Sequence, residues 1–198
     1  MDQQQEEGQA VGVPSLDALK GLLAAHGVDI SGWGRGEAKQ VEHLWAELAV
    51  GEAQLQAEPL RRVLPGVVQV IIRRGDRILI EAEQVMQDGR RRARNIPPAE
   101  KMLPGESSVE AAIRCLQEEF AVGREDIEIV EAGAATRQDE RMSQSYPGLL
   151  SRYTFHQVEA RVRGLPRTGF WTTERADGTE GAVRQHRWEW QAQGSSAN

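Results

Sequence analysis

The stretch Glu100–Val122, EKMLPGESSVEAAIRCLQEEFAV, decides how this chain is read. It sets a Pro104-Gly105-Glu106 turn against a short amphipathic helix that ends in two adjacent carboxylates, Glu118 and Glu119. Ser107 is a sound N-cap, and Glu110 completes a capping box. Val109, Ala112, Ile113, Leu116 and Phe120 recur at helical spacing and form one apolar face, with Gly123 as the expected stop. The other face carries Glu110, Arg114 and Glu118, with Cys115 and Glu119 beside them. Arg114 lies four residues from each of Glu110 and Glu118 and is placed to bridge both. An arginine between carboxylates holds them in place and keeps them ionised. Mg²⁺ wants oxygen ligands and commonly takes one or two carboxylates plus substrate phosphates. The stretch therefore suggests phosphate-anhydride chemistry. The plainer alternative is a solvated helix face laced with weak surface ion pairs.

Here the sequence resembles the Nudix family. That family's signature runs Gly, five residues, Glu, seven residues, Arg-Glu, an aliphatic, any residue, Glu-Glu, any residue, Gly and an aliphatic. Glu106 takes the first Glu, the seven residues SSVEAAI follow, and Arg114, Leu116, Glu118, Glu119 and Val122 fall on signature positions. Three positions depart: Glu100 stands at the leading Gly, Cys115 at the Glu after the Arg, and Ala121 at the late Gly. Gly123 follows close enough to make the last change a mild one. The Cys115 change is the serious one, because that Glu is a metal ligand in active relatives and a thiol is poorly suited to Mg²⁺. The resemblance implies an α/β fold, an α/β/α sandwich around a mixed sheet, over residues 60–191. It implies an Mg²⁺ or Mn²⁺ site at Glu106, Glu118 and Glu119, with Arg114 orienting the carboxylates. The implied activity is hydrolysis of a diphosphate bond in a nucleoside-diphosphate-linked substrate. The competing expectation is an inactive module that binds a nucleotide or sits in a larger assembly.

Outward from the signature, strand signals begin at Val63. VVQVIIRRGDRILIEAEQV reads as two strands around an Arg74-Gly75-Asp76 turn. A turn at Gln87–Arg90 leads to a short strand over residues 92–96, then a Pro-rich loop. After the helix, IEIVEAG reads as a strand, ATRQDERMSQSYPG as an exposed loop and LLSRYTFHQVEARV as a long alternating strand. GFWTTER and VRQHRWEW complete the set around a turn at Asp177-Gly178. The N-terminal side is different. Residues 1–13 are polar and read as disordered, as do 192–198. Two amphipathic helices follow within residues 14–58: one capped by Ser15 and ending near Gly27, one over residues 37–56. The second carries Val41, Leu44, Trp45, Leu48 and Leu55 on one side. The pair caps its own domain, forms a dimer surface or docks a protein partner; completing the core is the commonest role of such helices.

Arg90, Arg91, Arg92 and Arg94 form the strong basic cluster, with Arg90, Arg92 and Arg94 as candidate phosphate ligands. A solvated hairpin is the bland alternative. Asp139, Glu140 and Glu159 are candidate extra acids, and His156 is a strand histidine better suited to a structural hydrogen bond than to catalysis. Trp188 and Trp190 share a strand face, for a core or a base stack. With 24 basic and 30 acidic residues and a net charge of −6, the surface does not favour nucleic acid or membrane. One cysteine among 198 residues excludes an internal disulfide. There is no apolar run near the ~20 residues of a membrane span and no signal-peptide pattern. The expected setting is intracellular and cytoplasmic, with an organelle left open.

Overall fold

The computed structural model describes residues 10–173 and 183–192, without the side chains of residues 134–136. The fold is of the α/β class, with a mixed sheet and three α-helices among the described residues. In chain order they are α1 (Leu16–Ala25), α2 (Val41–Ala49), β1 (Gln54–Gln56), β2 (Arg61–Arg74), β3 (Arg77–Met86), β4 (Arg91–Ile96), β5 (Ala99–Lys101), α3 (Ser108–Phe120), β6 (Ile127–Met142), β7 (Leu150–Val162), β8 (Phe170–Thr173) and β9 (Val183–Ala192). The sheet order is β6-β7-β2-β3-β9-β8, with β1 and β5 also on β2 and β4 also on β3. The Asp177-Gly178 turn and the tail from 193 lie outside the described residues.

The chain divides into two compact units. One runs up to Pro65 and takes in Gln138–Thr154; the other holds Gly66–Arg137 and continues from Phe155. In the first unit, Leu19 and Leu23 of α1 and Val41 and Leu44 of α2 share a core with Leu55, Leu60, Tyr146 and Leu149. The apolar stripe of the helical pair is thus covered from within its own unit. Residues 10 and 11, expected in the disordered tail, run beside β1: Ala10 bridges Gln56, and the Val11 N–H donates to the Leu55 carbonyl at 2.8 Å.

α2 is shorter than its apolar pattern suggests. It stops at Ala49, and Gly51 adopts φ +79, a left-handed turn that glycine takes without steric cost. Leu55 still reaches the same core, but from strand β1. The stretch expected as a loop after Gly133 is largely strand, because β6 extends to Met142. Its polar side chains are occupied: Arg141 stacks over Tyr153 in the first unit, and Arg137 over Phe155 in the second.

In the second unit, β2 and β3 form the expected hairpin. Arg74 pairs with Arg77, and Gly75 takes φ +60 in the two-residue turn. β9 pairs antiparallel with β3 along its length, from Arg77↔Ala192 to Met86↔Val183. Helix α3 buries Ala111, Ala112, Cys115 and Leu116 against Val68, Val70, Ile72, Leu79, Val158 and Trp188. Phe120, at the end of α3, meets the Trp188 ring edge-on at 4.8 Å between centroids. β5 docks on β2 at Val67–Gln69. A side chain at Gly66 would meet Met102 Sδ at 2.6 Å, so the close return of the chain into the signature turn requires glycine there.

Candidate carboxylate site on helix α3

The site begins with the turn. The Glu106 N–H donates to the Leu103 carbonyl at 3.0 Å, and Gly105 takes φ +80, which gives a turn that needs glycine at its third position. Ser107 then caps α3. Its hydroxyl accepts from the Glu110 N–H at 3.2 Å, while the Glu110 carboxylate accepts from the Ser107 N–H at 2.9 Å. Glu110 is therefore spent on the cap and is not bridged by Arg114, contrary to the expectation from spacing.

Arg114 turns toward the loop instead. Its Nε and Nη2 donate to the two Glu106 oxygens at 2.9 and 3.0 Å, a bidentate pair. Nη2 also donates to the Lys101 carbonyl at 2.8 Å, and the Leu103 N–H donates to Glu106 at 2.9 Å. The arginine thus pins the turn onto the helix. Its Nη1 lies 3.4 Å from Glu118 and 3.9 Å from Glu100. One guanidinium faces three carboxylates, and Glu118 is largely exposed beside it.

The electrostatics follow from these contacts. Hydrogen bonds from Arg114 hold the Glu106 carboxyl below its usual range, against a smaller opposing effect of burial. Burial pushes the Glu100 carboxyl up, and the Lys101 N–H and Arg114 offset this only in part. The bond to Glu106 raises Arg114 further, so it stays charged. Cys115 faces inward: it is fully buried in the core, and burial, then the charges of Glu119, Glu100 and Glu118, push its thiol well above the ordinary value. A protonated, core-packed thiol is no metal ligand here.

Glu119, the residue after Glu118, reaches His186 of β9. Its Oε2 lies 3.5 Å from His186 Nδ1, which lies 2.6 Å from Glu81 Oε1. A ring nitrogen facing two carboxylates carries its proton, because a lone pair there would be repelled by both. Glu81 also accepts from Arg94 Nε at 3.2 Å. Burial of Glu81 favours the neutral acid, yet the His186 hydrogen bond and the Arg94 charge outweigh it and hold its pKa low. The His186 ring stacks on Trp188 at 5.8 Å and 15°.

Glu81 and His186 were not among the residues singled out from sequence. Period two on each strand held the signal: His186 shares a face with Trp188, and Glu81 shares one with Leu79, both buried. A register shift between Glu81 and Glu83 breaks the ladder at this point, a common device for re-aiming a side chain.

The arginine cluster is already engaged by its own chain. Arg90 pairs with Asp88 at 2.5 Å, Arg91 with Glu83 at 2.7 Å and Arg94 with Glu81, while Arg92 is buried. Asp139 pairs with Arg141 at 2.8 Å, and Glu140 with Arg61 and Arg152 at 3.0 Å each, all within the first unit. Glu159 pairs with Arg73 at 3.1 Å. Trp188 is core; the Trp190 Nε1–H donates to the Pro166 carbonyl at 3.0 Å, and Arg74 lies over its ring.

Among the described residues, no group of three or more His, Cys, Asp or Glu is placed to hold a metal ion. Mg²⁺ needs fewer, since substrate phosphates and water fill most of its shell. The donor chemistry fits such an ion: hard oxygens of Glu118 and Glu119 on adjacent positions, carboxylates outnumbering the one guanidinium among them, and the soft thiol turned inward.

No family model and no curated protein matches this sequence. Similar solved structures include a NUDIX hydrolase from Nitrosomonas europaea, 18% identical over 63% of this chain and 71% of that one, with a TM-score of 0.38. A Nudix hydrolase from M. smegmatis is 16% identical over 68% and 76%, with a TM-score of 0.36. A C. elegans Ap4A hydrolase is 14% identical over 64% and 79%, with a TM-score of 0.35. Likenesses this loose decide neither substrate nor activity. No helix among the described residues is long and apolar enough to cross a membrane.

Proposed function

We propose that the second unit is a Nudix-type pyrophosphohydrolase module that cleaves a diphosphate bond in a nucleoside-diphosphate-linked substrate. The observation that carries this reading is the clamp of Arg114 on Glu106, which fixes the signature turn against α3 and leaves the adjacent Glu118 and Glu119 at the helix end. Mg²⁺ or Mn²⁺ would be held by Glu118 and Glu119, and when bound it supplies charge neutralisation on the leaving phosphate and an activated water. Glu106 serves as a support, since both of its oxygens are taken by Arg114. Arg114 keeps Glu106 ionised and stands beside Glu118 at 3.4 Å. A substrate phosphate that reaches Arg90 or Arg94 competes with Asp88 or Glu81, so binding there exchanges one anion for another. Burial makes the Glu100 carboxyl easier to protonate than usual, and it stands beside Arg114 without a bidentate bond.

The test is Mg²⁺-dependent phosphate release from a panel of nucleoside-diphosphate-linked substrates, with Glu119→Gln as control. Turnover that falls at least about a hundredfold in the variant supports the reading, since even outer partners of metal ligands cost ten- to a hundredfold. Absence of turnover with Mg²⁺ and with Mn²⁺ across the panel refutes it.

A further inference from the structure

We propose that Arg61 and Arg152 form a binding site for a phosphate group in the first unit, with the Glu140 carboxylate holding the ligand's place until it is displaced. The site is separate from the carboxylates of α3. Two guanidiniums converge on one oxygen: Arg61 Nη1 and Arg152 Nε each donate to Glu140 Oε2 at 3.0 Å. Two cations therefore share a single anion. The arginine side chains are 14% and 24% exposed and the Glu140 side chain 38%, so the cations lie deeper than the carboxylate that joins them. The arginines of β4 differ, since Arg90, Arg91 and Arg94 each have a carboxylate of their own.

A buried donor points to the same ligand. Arg61 Nε is shut off from solvent and has no hydrogen-bond partner. Such a donor on a charged group is costly to leave without an acceptor. Gln56 is the cross-strand partner of Arg61 in the β1–β2 pair, so the two side chains share a face. Gln56 Oε1 is likewise buried and without a donor. The neighbours thus leave each other unsatisfied. A half-turn of the Gln56 amide exchanges its oxygen for an NH₂ group of the same shape. Arg61 Nε–H and that amide then present donors to one anionic oxygen. Phosphate suits the arrangement better than a carboxylate does. Glu140 meets both arginines through one oxygen and brings one charge. A phosphate monoester brings several acceptor oxygens and a charge of about −1.5 to −2, and guanidinium edges match its geometry. Glu140 yields by swinging toward the solvent it already faces, while β6 keeps its backbone in place.

The experiment uses the full chain in chelator, so that no metal carries the anion. Inorganic phosphate and a nucleoside monophosphate are titrated separately by calorimetry into the wild type, Glu140→Gln and Arg152→Gln, each checked for folding by circular dichroism. The Arg61 Nε–H resonance is followed by NMR in the same titrations. Glu140→Gln should bind on the order of tenfold more tightly than the wild type, because a like charge beside the anion is gone. Arg152→Gln should bind about tenfold more weakly, having lost charge-assisted donors. The Arg61 resonance should shift and saturate with the bound anion. The probe that binds more tightly names free phosphate or a phosphate ester as the ligand. Binding that Arg152→Gln leaves unchanged overturns the proposal, as does a folded Glu140→Gln protein no tighter than the wild type, or an Arg61 resonance that ignores both probes. Should Glu140→Gln not fold, the wild type, Arg152→Gln and the resonance decide. The outcome is independent of turnover at α3, so either reading can fail alone.

Discussion

Each unit contains an arginine–glutamate cluster, and the two are built to opposite rules. In the first unit, Arg62 donates to Glu47 at 2.5 Å, the Tyr146 hydroxyl donates to the other Glu47 oxygen at 3.0 Å, and Lys39 stands at 3.5 Å. Glu47 and Arg62 have side chains only 6% and 4% exposed, and Arg62 lies over the Tyr146 ring at 5.0 Å. The Glu47 carboxylate meets Arg62 and Tyr146 almost out of water, with Lys39 at the partly exposed edge. In the second unit, Arg114 faces Glu100, Glu106 and Glu118, and Glu118 is open to solvent. A closed cluster whose buried carboxylate is fully hydrogen-bonded holds a fold together. An open cluster with surplus negative charge calls for a cation from outside. The same residue types therefore mark structure in one place and candidate chemistry in the other.

The largest effect expected from breaking this contrast is on the closed side. Arg62→Ala leaves Glu47 buried with most of its compensation gone, and should cost about 3–5 kcal/mol. Chemical denaturation followed by fluorescence measures this, and a loss below about 1 kcal/mol would show that the cluster is not sealed. On the open side, Cys115→Glu adds one more buried carboxylate beside Glu100, Glu118 and Glu119. It should destabilise by up to about 3 kcal/mol in chelator, with a melting temperature that climbs as Mn²⁺ is added. No metal dependence would argue that the cluster does not recruit a cation.

A smaller change tests the helix that carries the open cluster. Ala121 closes α3 at φ 51, ψ 32, in the left-handed region that costs an alanine about 1 kcal/mol. Ala121→Gly should stabilise by about that amount and leave Mn²⁺ affinity unchanged, as read by thermal melts and metal titration. The smallest effect concerns Glu100. Its carboxyl is raised in the fold, so the native state favours the protonated form, and ionisation costs stability as pH climbs from the ordinary carboxyl range through the raised value. Glu100→Gln should therefore stabilise the fold slightly at neutral pH, by less than about 1 kcal/mol, read as a small rise in melting temperature. The gain should vanish in acid below the ordinary carboxyl range. A gain that persists in acid would assign the effect to packing.

The local half of this site was readable in the sequence. The capping box, the Pro-Gly-Glu turn and the glutamate pair are short-range features, and each formed as its residues dictate. What spacing could not settle was competition. Arg114 had Glu110 within reach, but the cap claimed Glu110 and the folded turn presented Glu106 in bidentate geometry. Gly123 was the expected helix stop, yet it takes an ordinary φ of −74 while Ala121 bears the left-handed turn. The long-range half was hidden, because Glu81 and His186 stand 105 residues apart and meet only once β3 and β9 pair. The polar run in β6 misled for a related reason. Arginines that look solvated in a linear reading lie across aromatic rings of the neighbouring strand.

The inward turn of Cys115 has a practical corollary. It is the one thiol among 198 residues, fully buried and protonated. A thiol reagent can reach it only when α3 lifts from the sheet, so its labelling rate counts openings of that unit directly. The buried cysteine thereby gives the protein a built-in clock for its own breathing.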